Sequence, residues 1–357
     1  MLYIHVPFCH RKCTYCAFFS KVESGKWKVE NYVDALLKEM EERCGEQDHP
    51  IHTVYFGGGT PSILPIGHLE RIVEGLHRHF DLSQVEEMTL EANPEDLTPP
   101  YLADLHSLGF NRLSIGVQSL DDHVLRLLNR RHTAQQALEA VAEARKAGFE
   151  NISVDFIYGI KDFKDFKDFK DFKDLKDLVT HVSAYALTVE EGTALAVQVG
   201  QGRVVLPGDD DVVRQYHALR EMLSAAGFRQ YEVSNYARPG YESKHNSRYW
   251  DRTPYLGLGP GAHSFDGKHR RWNNPDGTFG EETLTPDEAF NELLMTSLRT
   301  VRGLPLGAVP EEYRERLHRG MQPYVDCGWI VLKDNCYMPT SEGLLHADGM
   351  AAALFLG

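Results

Sequence analysis

Residues 2–16 read LYIHVPFCHRKCTYC. A short apolar run of strand character, ending at Pro7, leads straight into three cysteines, Cys9, Cys13 and Cys16, spaced C-x3-C-x2-C. A strand that empties into a ligand-rich loop puts chemistry at its carboxyl end, where parallel α/β folds gather their functional residues. Outward from this stretch, strand-like and helix-like segments alternate. VENYVDALLKEMEERC (29–44) has helical periodicity, and TVYFGGGTPS (53–62) is a strand running into a glycine turn. LERIVEGLHRHF (69–80), LADLHSLGF (102–110) and AQQALEAVAEARKAGF (134–149) read as helices. Between and after them, EMTLEANP (87–94), RLSIGVQS (112–119), NISVDFIYG (151–159) and HVSAYALTVEEGT (181–193) read as strands. Five or six β-then-α units in series predict a parallel sheet.

Residues 161–178, KDFKDFKDFKDFKDLKDL, break this texture with an apolar residue at every third position. A period of 3 matches neither helix nor strand, so the apolar stripe circles a helical rod. The segment has the length of one crossover helix, and the sequence predicts a degenerate helix that packs poorly there. Beyond about residue 200, VVRQYHALREMLSAAGF (212–228) is a strong helix, and 229–280 is rich in Gly, Pro, Asn, Tyr and Trp, as expected of loops over a site. PDEAFNELLMTSLRT (286–300) opens a helical tail, and WIVLKDNCYMPTSEGLL (329–345) reads as a two-stranded wing leading into a helix. The expected units are 1–200, 201–285 and 286–357.

The chain has 357 residues, 38 basic and 52 acidic side chains, and a formal charge of −14. That balance argues against a protein that mainly grips nucleic acid. No apolar run approaches the ~18 residues of a membrane span, and the start lacks a signal-peptide pattern. A cytoplasmic protein is therefore expected. Six cysteines in such a chain do not make a disulfide framework; clustered ones indicate metal or redox work. Three clustered thiolates suit a [4Fe–4S] cluster with one iron left open, with Arg11 and Lys12 near to offset its charge. The same spacing fits a zinc site completed by His5 or His10, or three cysteines on one helix face.

The C-x3-C-x2-C spacing with Tyr15 before the last cysteine resembles the radical S-adenosylmethionine (SAM) superfamily. Gly57-Gly58-Gly59-Thr60-Pro61 after a strand resembles its glycine motif. YIHVPFC, FGGGTPS, GVQS, NRRH, VDFIYG and GLGPGAHS together are similar to one branch, the oxygen-independent coproporphyrinogen III oxidases (HemN-like) and their relatives, the HemW-type heme chaperones. The resemblance implies an α/β fold, a partial (β/α)6 TIM-like barrel with a small C-terminal winged-helix-like domain. It also implies a [4Fe–4S] cluster on Cys9, Cys13 and Cys16, with SAM contacted by Tyr3, Tyr15, Gly58, Gly59, Thr60 and Glu91. Gln118, Arg130 and Asp155 match residues that contact a second SAM in the oxidases, and Ala186 lines the pocket.

Three features separate the branches. The oxidases resemble C-x3-C-x2-C-x-C, and Phe18 stands here at the fourth position. They carry an extension ahead of the first strand, which here starts at Leu2. Finally, His245-Asn246-Ser247-Arg248-Tyr249-Trp250 matches the HNxxYW signature of the heme-binding branch. All three imply a chaperone that binds heme and passes it to an acceptor protein, with flavodoxin or ferredoxin as electron donor to the cluster. The alternative is SAM-dependent oxidative decarboxylation of coproporphyrinogen III. His245 is the expected heme ligand, among Tyr236, Tyr241, Tyr249, Trp250 and Tyr255 as apolar cover and Lys244, Arg248 and Arg252 as rim cations. His263 is its rival.

Overall fold

A computed structural model describes residues 1–22, 28–47, 49–161 and 172–357. The first half alternates strand and helix: β1 (Leu2–Val6), α1 (Val29–Arg43), β2 (Thr53–Gly58), α2 (Ile66–His79), β3 (Glu87–Ala92), α3 (Pro99–Ser107) and β4 (Arg112–Gln118). Two helices follow, α4 (Asp122–Leu127) and α5 (Ala134–Lys146), then β5 (Asn151–Tyr158), the short α6 (Phe172–Leu175) and β6 (His181–Ala186). Strands β1 to β6 pair in parallel and in sequence order, with Tyr3 opposite Tyr55 and Glu91 opposite Ser114. After α7 (Ala194–Gly200) and α8 (Asp209–Ala225), the two-residue β7 (Arg229–Gln230) and β8 (Asn235–Ala237) extend the β6 edge antiparallel. Past α9 (Lys244–Trp250), β9 (Leu256–Leu258) adds to the β1 edge in parallel. The nine-strand order is β7-β8-β6-β5-β4-β3-β2-β1-β9. It is an open, partial barrel of six parallel strands with an added strand set on each edge.

Strand alternation divides the barrel chemically. Leu2, Ile4, Val6, Val54, Phe56, Leu90, Leu113, Ile115, Ile152, Val154 and Val182 face outward and form the main core with Leu36, Leu69, Leu76, Leu105 and Val141 of the surrounding helices. The interior positions are polar: His5, Thr53, Glu87, Thr89, Arg112, Ser114, Ser153, His181 and Ser183 are all buried. A polar interior can be buried only if its groups are paired. Here Ser153 pairs with His181 at 2.7 Å, and His181 with Tyr231 at 2.8 Å.

The chain then forms a small three-stranded sheet, β10 (His263–Phe265), β11 (His269–Asn273) and β12 (Phe279–Thr283). Helix α10 (Pro286–Leu298) starts at a capping box of Thr285 and Glu288. It packs with β13 (Leu304–Pro305), α11 (Glu311–Asp326), the hairpin β14 (Ile330–Lys333) and β15 (Cys336–Pro339), α12 (Ser341–Leu345) and α13 (Ala347–Leu354). Phe290, Leu294, Leu317, Met321, Tyr337 and Met350 form a second core there.

Most of the KDF repeat lies outside the described residues. Its last turns pack better than the period of 3 predicts: Phe172 and Leu175 of α6 are buried in the main core, and the Phe172 ring meets Phe156 and Phe228. Apolar residues three apart share one face for a single turn, and drift appears only over a longer helix.

Candidate functional site

The cysteine loop leaves β1 at Pro7 and is pinned at both ends. Lys21 N donates to Pro7 O at 2.6 Å, and Cys9 N to Lys21 O at 3.1 Å. Its middle is clamped to the segment after α4. Thr14 N donates to Leu128 O at 3.2 Å and Thr14 Oγ1 to Leu127 O at 3.0 Å. Asn129, held at φ 59°, donates through Nδ2 to Lys12 O at 2.9 Å. The clamp turns Cys9, Cys13 and Cys16 toward one cavity of about 670 Å³ at the carboxyl ends of β2 to β6. Tyr15, Phe18, Gly58, Gly59, Thr60, Glu91, Gln118, Arg130, Asp155 and Ala186 line it too. Cys44 and Cys327 directly follow α1 and α11, and Cys336 opens β15, away from the loop.

Each wall has a physical reason for its residue type. Gly59 must be glycine because a Cβ there would stand 2.5 Å from Phe8 O, at the root of the cysteine loop. Gly58 takes φ +109°, and a Cβ would meet the His5 ring at 2.6 Å. Thr60 Oγ1 sits 3.4 Å from Cys9 Sγ and accepts from Asn93 Nδ2 at 3.3 Å. Glu91, on the cavity floor, accepts from Tyr55 OH at 2.8 Å and from Gly58 N at 3.2 Å. Burial still pushes its carboxyl up to about 7, against those two donors. Asp155 accepts from Ser114 at 3.3 Å, and burial raises its carboxyl as well. Gln118 ends β4 at φ 65°, beside a register shift between β4 and β5; such backbone is sparsely populated and gathers at ligand sites. Arg130 fans across the wall. It donates to Gly116 O at 2.7 Å, to Asn93 Oδ1, and to Cys13 Sγ at 3.5 Å.

The donor set fits a thiolate-held cluster. The Cys16 thiol is pushed up by burial and by the neighbouring Cys13 and Cys9, so three adjacent thiolates need compensating positive charge, which metal ions supply. Among the described residues no three ligand side chains are already drawn to one metal-sized point. The loop offers its three thiols to the cavity.

A model of the radical SAM superfamily matches residues 3–175, and a model of the HemN C-terminal domain matches residues 284–346. The heme chaperone HemW of Mycobacterium tuberculosis is 39% identical over 99% of this chain and 94% of its own length. The chain belongs to the HemW family of radical SAM proteins. A mouse relative, the mitochondrial radical S-adenosyl methionine domain-containing protein 1, is 38% identical over 90% of this chain and 72% of its own. In solved structures, the coproporphyrinogen III oxidase (HemN) of Escherichia coli, a radical SAM enzyme, aligns with a TM-score of 0.82. It has 23% identity, over 99% of this chain and 89% of the oxidase. That likeness carries the fold: a radical SAM barrel with a HemN-type C-terminal domain.

Within this HemW-family chain the HNxxYW motif lies elsewhere, and the expectation that His245 ligates heme meets a ring already engaged. The motif forms α9 at the amino ends of β2 and β3, opposite the cysteine loop. His245 is fully buried. Its Nδ1 pairs with Thr53 Oγ1 at 2.8 Å and its Nε2 with Tyr249 OH at 3.1 Å, so neither ring nitrogen is free for iron. The ring stacks on Tyr55 at 5.0 Å between centroids. Glu87 accepts from the Lys244 and His245 backbone N–H groups at 3.0 and 2.9 Å, and Arg112 approaches the same carboxylate at 3.9 Å. The motif plugs the barrel's amino end. Two of its three expected rim cations are engaged, Lys244 with Glu86 and Arg252 with Glu292. Tyr236 is in the core, and Tyr249 packs edge-on against Tyr255 at 4.8 Å. His263 stays exposed, stacked on Trp272.

Tyr3 is also displaced from its expected place. It lies inside the barrel below the floor, stacked on Tyr55 at 6.2 Å and bonded to His5 Nδ1 at 3.2 Å, and is not among the residues that line the cavity. Arg11 and Lys12 line the cavity beside the thiols, and the charge of Lys12 acts on the Cys16 thiol; Arg11 also donates to Asn129 Oδ1 at 3.4 Å, and Arg130 adds its charge at Cys13. Asn93 and Asn129 were missed in the sequence. Each follows an element end, a common place for asparagine in turns, which hid its part in the site.

Proposed function

We propose that this chain is a cytoplasmic heme chaperone that holds heme, a [4Fe–4S] cluster and SAM, and passes heme to an acceptor protein. The observation that carries the reading is end-to-end similarity to a relative named heme chaperone HemW, at 39% identity over 94% of that relative. Cys9, Cys13 and Cys16 would hold the cluster, and Gly58, Gly59, Thr60, Glu91, Gln118, Arg130 and Asp155 would contact SAM. A reduced cluster held there would supply one electron to the SAM sulfonium. The chain's residues orient these groups: Gly59 lets the strand end approach the loop, Glu91 offers a carboxyl to a hydroxyl or ammonium, and Arg130 holds Cys13 against the wall. Phe18, 71% exposed at the cavity mouth, stands where the oxidases carry a further cysteine and supports the chaperone over the oxidase.

The test is anaerobic reconstitution followed by two assays. Iron and sulfide analysis should give one [4Fe–4S] cluster per chain whose EPR signal SAM perturbs, and loaded heme should move to an apo heme protein. Coproporphyrinogen III with SAM and reductant should give no protoporphyrinogen; robust turnover would assign the chain to the oxidases. Stoichiometric zinc without sulfide would remove the cluster reading.

A further inference from the structure

Behind the cysteine loop, on the side away from the main cavity, lies a second concavity of about 510 Å³. Its floor is Thr14, which sits between Cys13 and Cys16 in sequence; its sides are Arg126, Leu127 and Asn129 from α4 and its end, and Ala194, Gln198, Arg203 and Val204 from α7 and its exit turn. The loop is tied to both sides, since Leu195 N donates to Thr14 O at 2.8 Å and Thr14 Oγ1 to Leu127 O at 3.0 Å.

The lining has no acidic residue, in a chain of formal charge −14. Arg126 and Arg203 are both exposed here. Among the described residues Arg126 and Arg203 enter no ion pair, unlike Arg130 and Arg131, which turn to Cys13 and Glu95. Gln198 Oε1 is buried without a hydrogen-bond partner. Two exposed valines border the site, Val197 at 53% and Val205 at 56%. Of the exposed carboxylates before α7, Glu190 lines the main cavity.

Unpaired cations around a shallow apolar border, on an acidic molecule, select a negatively charged protein surface rather than a second copy of this chain. The floor of the concavity is the backbone that carries the cluster ligands, so a partner seated there stands closest to the cluster through Thr14. We infer that the Arg126–Arg203 concavity is the docking surface for a small acidic one-electron carrier protein that reduces the cluster. One electron leaves the carrier's reduced centre and enters the cluster; no bond forms or breaks. The inference rests on the cluster reading above and adds the partner's site.

The test uses the full chain and a [2Fe–2S] ferredoxin as probe, with two charge-matched double variants. Arg126→Glu/Arg203→Glu reverses the patch. Lys333→Glu/Arg319→Glu makes the same charge change on the C-terminal domain, where Arg319 is 76% exposed. Calorimetric association at low salt should weaken about tenfold or more in the first variant and less than twofold in the second, and wild-type affinity should fall steeply with salt. Stopped-flow reduction of the reconstituted cluster by the reduced ferredoxin should slow in parallel, while deazaflavin photoreduction gives an unchanged cluster signal. Equal weakening in both variants, or no weakening in either, overturns the docking site. So does titration of inorganic phosphate into Arg126 and Arg203 without protein association, which makes it a small-anion site. A chain that takes up no cluster refutes the cluster reading instead, and the calorimetric arm still reads the docking surface.

Discussion

Glu91 and His245 are both buried titratable groups on the barrel's inner wall, yet their protonation acts on stability in opposite directions. Burial lifts the Glu91 carboxyl to about 7, so the folded state holds a proton that the unfolded chain releases above about 4.5. Stability from this group is therefore full below about pH 4.5 and declines as pH rises toward 7. A displacement of that size is worth at most roughly 3 kcal/mol, less for a carboxyl that borders cavity water. Glu91→Gln should gain in melting temperature relative to wild type between pH 5 and pH 8, and a difference flat across that range would refute the assignment. For His245, burial, then the chain's amino terminus and Arg112, lower the imidazole to about 3. The unfolded chain takes up a proton below about 6.5 that the folded chain refuses, so stability present above that pH is lost as pH falls toward 3. His245→Ala removes two hydrogen bonds and a stacked ring and should destabilise by about 3 kcal/mol, read by urea unfolding. His245→Gln should recover part of the loss, because an amide can bond both Thr53 and Tyr249. The Soret band of bound heme should stay unchanged in both variants; a shifted band would restore the axial role. Sequence alone leaves this open, since an imidazole beside aromatics reads alike as ligand and as core. The partners that decide it, Thr53 and Glu87, are 192 and 158 residues away in the chain.

At the scale of elements, the strand ends do most of the positioning. Strand β2 ends in a glycine turn whose Gly59 N donates to Val6 O at 2.8 Å, so the turn and the cysteine loop lie backbone to backbone. Gly59→Ala would drive a methyl to 2.5 Å from Phe8 O, and neither backbone can yield cheaply. The variant should fold, as the β1–β2 ladder ends before this point, but retain less than half the iron of wild type after reconstitution. Full iron content would show that the loop moves independently of the turn. The six parallel strands, five to eight residues each, were legible because apolar residues recur along them and, β4 apart, Gly or Pro follows before the next helix. The added edge strands were not. β7, β8 and β9 have two or three residues each, too short to show a period, and their pairing is set by tertiary contact. Helices α4 and α7, of six and seven residues, escaped for the same reason, and with them the clamp on the cysteine loop.

For the whole molecule, the open barrel makes ligand binding a test of how the parts are joined. The main cavity draws walls from the cysteine loop and from the ends of β2 to β6, elements spread over most of the radical SAM match at residues 3–175. A ligand that bridges loop and strands binds the folded chain alone, and at a hundredfold excess over its dissociation constant it contributes about 2.7 kcal/mol. With an unfolding entropy of about 2 cal/mol/K per residue over the whole 357-residue chain, that corresponds to a rise of about 4 °C in melting temperature. SAM should give this rise only in the cluster-loaded protein, because the thiol wall is half of its site and the strand-end contacts alone hold it weakly. The unloaded protein and a Cys13→Ser/Cys16→Ser variant should shift by less than about 1 °C under the same SAM concentration. Matched differential scans of loaded, unloaded and variant protein make the comparison. An equal rise in all three would mean that SAM binds without the cysteine wall, and that cluster and strand ends form two sites rather than one.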